Sequence, residues 1–136
     1  MGRRVVQLKI LVKCVAALAT VRTLMLFLRQ NSIRRLMVRP GARGAAPEGL
    51  YRQVAWGMDL AAKVVPDATC LARAMAGQAL LARSGYASDV CIGVEKADGK
   101  FAAHAWLTSG GAIVLGGTEA ELSRYVRMTS FPAGPS

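Results

Sequence analysis

Residues 89–107 read Asp89-Val90-Cys91-Ile92-Gly93-Val94-Glu95-Lys96-Ala97-Asp98-Gly99-Lys100-Phe101-Ala102-Ala103-His104-Ala105-Trp106-Leu107. Val90, Ile92 and Val94 alternate with Asp89, Cys91, Gly93 and Glu95, the period of a half-buried strand. Asp98-Gly99 is a strong two-residue hairpin signal, so Phe101 to Leu107 is expected to return antiparallel. Gly110-Gly111 marks a second turn and Ala112 to Leu115 a third strand. Two-residue turns would set the register and place Gly93 opposite His104 on one side and Gly117 on the other.

Upstream of this meander the period is helical. Cys70 to Ala82 is rich in Ala and Leu, follows the capping residues Asp67-Ala68-Thr69 and stops at Gly85. Glu48 to Val65 forms another helix, opened by Pro47 and closed by Pro66, with Leu50, Val54, Met58 and Ala61 on one face. Before it, Pro40-Gly41-Ala42-Arg43-Gly44-Ala45-Ala46-Pro47 reads as a linker. A first apolar helix is expected from Val5 to about Arg29–Ser32, with a short basic turn from Ile33 to Val38. Downstream, Thr118 to Met128 is expected as a short helix with Thr118 and Glu121 spaced as a capping box, and 129–136 as a tail.

The expected class is therefore α+β: a helical N-terminal half, with one helix packed on a small antiparallel β-meander. Residues 1–46 form the basic lead-in and linker, 47–128 the core and 129–136 the tail.

The 136 residues carry a formal charge of +10. Residues 1–44 hold ten Lys or Arg and no acid, while the rest is balanced. Such asymmetry points to an acidic partner or an anionic membrane surface, the latter as a weak surface association. Nucleic acid is not expected as a partner, because no zinc-finger, RNP-like or helix-turn-helix pattern accompanies the charge. Lys9, Lys13 and Arg22 interrupt the first helix, which argues against a membrane span. Cys14, Cys70 and Cys91 are an odd, widely spaced set, which fits a reducing cytoplasm and no disulfide framework. No Cys/His spacing supplies a zinc site, and no Gly-rich phosphate loop is present, so neither metal nor cofactor is expected.

His104 is the only histidine. Any Cys–His chemistry near neutral pH must therefore use it as the base. Cys70 falls in the first turn of its helix, where unpaired N–H groups and the helix dipole favour negative charge. A cysteine at a helix start and a histidine on an adjoining strand are what a papain-like or transglutaminase-like nucleophile needs, provided that His104 and Trp106 face the helix. A third group normally orients the imidazole. Glu119, Asp89 and a backbone carbonyl all stay open for that role, since Gly117 stands at the position directly opposite. Trp106 and Cys91 are expected to serve packing.

The ordered blocks Cys70-Leu71-Ala72-Arg73-Ala74, Leu80-Leu81-Ala82-Arg83-Ser84-Gly85-Tyr86, Val90-Cys91-Ile92-Gly93-Val94 and Phe101-Ala102-Ala103-His104-Ala105-Trp106-Leu107 resemble the McjB-type leader peptidases of lasso-peptide biosynthesis, which are transglutaminase-like cysteine proteases. The resemblance covers residues from about 67 to 117. It implies a cysteine peptidase that removes the leader of a ribosomally made precursor, with Cys70 as nucleophile and His104 as base and later acid. It also implies a split form, in which a separate leader-recognition protein presents the precursor and a macrolactam cyclase takes the freed core. The family's third residue, an Asp on the strand after the histidine, is replaced here by Gly116-Gly117. Two alternatives accompany this reading: another Cys–His acyl transferase on the same scaffold, and a non-catalytic scaffold protein.

Overall fold

The structure is a computed structural model that describes residues 2–27, 44–65, 69–97, 99–123 and 125–132. Three helices precede the sheet: α1 (Gly2–Met25), α2 (Glu48–Val64) and α3 (Cys70–Arg83). Strands β1 (Asp89–Ala97), β2 (Lys100–Ser109) and β3 (Ala112–Leu115) follow, then a single-turn helix α4 (Glu119–Leu122) and strand β4 (Val126–Pro132). The molecule is α+β, as its periodicities require.

Local chemistry accounts for the helix ends. Pro47, extended at φ −61° and ψ 148°, stands directly before α2, where a missing N–H costs nothing. Thr69 is extended and its hydroxyl accepts from Ala72 N at 3.1 Å, capping α3. Gly85 (φ +92°) ends that helix, and Tyr86 N donates back to Leu81 O at 2.9 Å. The first helix stops at Met25, short of the expected Arg29, and a tighter turn closes it through Leu26 N to Thr23 O and Phe27 N to Leu24 O. The expected basic turn at 33–38 and the first part of the linker lie outside the described residues, as do Asp67 and Ala68. What is described of the linker is not loose: Ala45 bridges Ala87 in parallel, and Ala46 N donates to Ser109 Oγ at 2.9 Å.

The sheet is antiparallel with order β3-β2-β1-β4. The β1/β2 hairpin has the expected register, with Gly93 opposite His104 and Cys91 opposite Trp106. Two expectations fail. Residues 126–132 form a strand that pairs with β1, so the predicted helix at 118–128 shrinks to one turn and Thr129 to Pro132 are sheet instead of tail. The physical reason is that β1 would otherwise leave a full row of N–H and C=O groups unpaired along its second edge. In addition, β3 is bulged: Leu107 faces Leu115 while Thr108 faces Ile113, which leaves Val114 as the extra residue. The chain beyond is displaced by one position, and Gly117 does not stand opposite His104.

One large apolar cluster joins the helices to one face of the sheet. Cys14, Leu18 and Val21 of α1, Val54, Met58 and Ala61 of α2, and Ala72, Met75, Ala76 and Leu81 of α3 meet Val90, Leu107, Val114 and Leu115. The approach is close: a Cβ on Gly77 would come within 2.9 Å of Leu107 Cδ2 and 3.0 Å of Leu115 Cδ2. Burying one leucine in such a setting stabilises the fold by about 1.5–3 kcal/mol. No helix among the described residues is long and apolar enough to cross a membrane.

Candidate functional site

The alternation of β2 decides where the imidazole goes. Leu107 points at α3, so His104 and Trp106, odd steps away along the strand, rise from the other face. There Trp106 packs with Cys91 and Leu122 in a second, small cluster, with Ile113 and Tyr125 against it. The expected orientation of His104 and Trp106 toward the helix is thus reversed. Both sets of alternating residues in β2 offer buried apolar side chains, Ala105 and Leu107 on one and Trp106 on the other, and it is Leu107 that comes up against the small residue Gly77 of α3.

On that face the ring of His104 sits among aromatics. Its centroid is 5.3 Å from that of Tyr125 and 6.1 Å from that of Trp106, and the last two are 6.2 Å apart. Gly93 makes the arrangement fit, because a Cβ there would meet Trp106 Cη2 at 2.8 Å and Tyr125 Cβ at 2.9 Å. His104 is half-buried, and its Nε2–H donates to the carbonyl oxygen of Gly116 at 2.5 Å. A carbonyl can only accept, so this bond puts the proton on Nε2 and leaves Nδ1 as the basic atom of the neutral ring. The β3 bulge delivers that carbonyl. Gly116 has φ +109°, and a Cβ there would lie 2.8 Å from Trp106 Cα, so both the backbone angle and the space demand glycine.

Cys70 opens α3 beneath the Thr69 cap and is partly exposed. Among the described residues no hydrogen bond joins it to His104. The thiol belongs to the helix on the Leu107 face, the imidazole to the face of Trp106. Asp89 lies at the start of β1, opposite Thr108, four residues along the strand from Gly93. Glu119 begins α4, but its side chain lies outside what is described. Thr118 Oγ1 accepts from Glu121 N at 3.2 Å, which realises half of the expected capping box. Tyr125 was not singled out by sequence: its role depends on a loop returning across the sheet, for which a lone tyrosine carries no periodic signal.

The other cysteines are packed. Cys91 is fully buried beside Trp106. Cys14 is fully buried where α1 crosses α2, its Sγ 3.8 Å from Val54 O, and burial pushes its thiol up to about 11.

No curated protein and no solved structure matches this chain. Residues 14–130, however, match the Transglut_core3 family, described as the transglutaminase-like superfamily, which includes cysteine proteases and acyltransferases. The match begins midway along α1 and ends inside β4, so it takes in the second half of α1, the other helices and nearly all of the sheet. The matched stretch includes the helix opened by Cys70 and the second strand, which carries the lone histidine, and the chain belongs to the transglutaminase-like superfamily.

Proposed function

We propose that this protein is a cysteine peptidase that removes the leader from a ribosomally synthesised lasso-peptide precursor. Membership of the superfamily supports the class, and the blocks around Cys70, Cys91 and His104 support the narrower assignment. The single observation that carries it is the imidazole of His104: one tautomer, held by Gly116 O, with Nδ1 left as a base.

In this reading Nδ1 of His104 takes the proton of Cys70, and the sulfur attacks the scissile carbonyl. N–H groups at the start of α3 receive the oxyanion. The C–N bond breaks as the imidazolium returns its proton to the departing core amine, which leaves a thioester on Cys70. Water then hydrolyses the thioester and frees the leader acid. The carbonyl of Gly116 takes over the orienting role that an acid has in the resembling family. The reaction needs Cys70 within hydrogen-bond reach of Nδ1. Since α3 packs on the Leu107 face and the ring rises from the Trp106 face, engagement of the precursor, presented by a leader-recognition protein, has to move the start of α3 relative to β2 to make that contact, a larger change than the tightening of an existing hydrogen bond. A macrolactam cyclase consumes the freed amine.

The test is incubation of the chain with a precursor and its recognition protein, with products weighed by mass spectrometry. A free leader acid and a free core amine are expected, and both should vanish in Cys70→Ala and His104→Ala. A leader adduct in place of the acid would assign acyl transfer. A second reading is favoured by the placement of His104 and Cys70 on different sides of β2: a non-catalytic scaffold of a peptide-maturation complex. Thiol labelling separates the two, because His104→Ala should slow alkylation of Cys70 in the presence of precursor only if the pair works together.

A further inference from the structure

At the other end of α3, about 14 Å along the helix from Cys70, a cleft of about 790 Å³ opens between α1, α2 and α3. Its floor is apolar, formed by buried Ala17, Val54 and Ala79 with half-buried Leu80. Its rim is cationic. Lys9 and Lys13 stand one turn apart on α1, and Arg83 comes from the last turn of α3. No acidic residue lines the cleft, and among the described residues none of these three cations has an ion-pair partner. The lining follows α1 from Val6 to Leu24, which amounts to roughly 27 Å at a helical rise of ~1.5 Å per residue.

We propose that this cleft binds a single-chain anionic amphiphile, with a carboxylate or phosphate head held by Lys9, Lys13 and Arg83 and a hydrocarbon chain laid along the floor. The argument is one of complementarity. The volume is that of a small-molecule site with an apolar floor; its polar lining comprises the neutral Thr20, Gln53 and Ser84 and three charged groups, all of them cationic. A neutral ligand would leave the three cations unused, and a hydrophilic anion would leave the floor wet. An elongated apolar body with an anionic end satisfies both. The site is separate from the Cys70 and His104 regions, so it stands whether or not the peptidase reading does.

The probe is dodecanoate, titrated below its micellar concentration and followed by calorimetry and by thermal unfolding of the full chain. One dodecanoate per chain is expected, with a raised melting temperature, and neither dodecanol nor dodecyltrimethylammonium should match it. Replacing the three cations together by Gln should weaken binding by about tenfold or more, the loss of charge-assisted contacts. Ala16→Trp, at an exposed position on the lining, should fill the cleft and abolish binding with the charges intact. The Gln variants alter only exposed side chains, so they carry the test even if the tryptophan variant does not fold. Equal binding of dodecanol, or dodecanoate binding unchanged in the Gln variants, overturns the proposal. So does association with phosphatidylglycerol vesicles in the absence of any dodecanoate binding, which would make this face a membrane contact.

Discussion

The two faces of the sheet are built from the same strands and do different work. The face under α3 joins one continuous cluster that runs through three helices. Among the described residues the opposite face carries only Cys91, Trp106 and Leu122 as a buried apolar cluster, with Tyr125 and His104 around them. Stability is concentrated on the first face, and the lone histidine, His104, stands on the second beside Tyr125. A strand with alternating side chains lets these demands be met independently, since a change at Leu107 and a change at Trp106 act on different layers.

The sharpest way to break that contrast is truncation on each side. Leu107→Ala removes a fully buried side chain that α3 cannot follow inward, because α1 and α2 hold it, and should cost about 3–4 kcal/mol. Leu122→Ala, on the thin cluster, should cost only about 2 kcal/mol. Urea denaturation of both variants checks the ordering, and equal losses would show that the two layers are energetically one.

Gly116→Ala tests how the second face holds its ring. The positive φ and the approach to Trp106 should make the substitution cost about 2 kcal/mol. The decisive readout is the imidazole itself. With one histidine in the chain, nitrogen NMR shows one ring, expected as the Nε2–H tautomer in the parent and as a mixture in the variant. A mixed population in the parent would remove the carbonyl from its orienting role.

The first face also has a titratable group, and its effect is on stability. Cys14 has a folded value near 11 against its ordinary 9.0, so between these two values the folded state keeps a proton that the unfolded state has lost. Stability should therefore be unaffected by this thiol below pH 9 and fall as pH rises toward 11, by about 2 kcal/mol at most. The difference in pH dependence between the parent and Cys14→Ala isolates it. Smallest of all should be the carboxylates. If Gly116 O orients His104, Glu119→Gln and Asp89→Asn each change leader removal less than about threefold, and each shifts stability by less than about 0.5 kcal/mol. A large loss in either would restore a carboxylate as the third member.

Much of this arrangement is legible in sequence because it is local. Pro47 and Thr69 announce helix starts, and Asp98-Gly99 sets the β1/β2 register down to the Gly93–His104 pair. What escapes is non-local. The pairing of β4 with β1 joins Val126 to Val94 across a long stretch of chain, while the Thr118 cap speaks locally for helix. The extra residue Val114 is invisible in a run of four apolar residues, yet it shifts Gly116 onto the histidine. The facing of β2 is equally hidden, because Ala105, Trp106 and Leu107 are all buried and either set could meet a helix.

The hydroxyl of Ser109 bears on how the molecule opens. It accepts from Ala46 N and donates to Ala87 O at 2.6 Å, beside the Ala45–Ala87 bridge and the bond from Ala87 N to Gly44 O. The chain just before α2, the chain just before β1 and the end of β2 are therefore knotted by one buried side chain. Fraying of the helical layer away from the sheet must first break this knot, so the amides of Ala46 and Ala87 should exchange with solvent only in global unfolding. Two stretches of backbone that belong to no helix then report on the cooperativity of the whole fold.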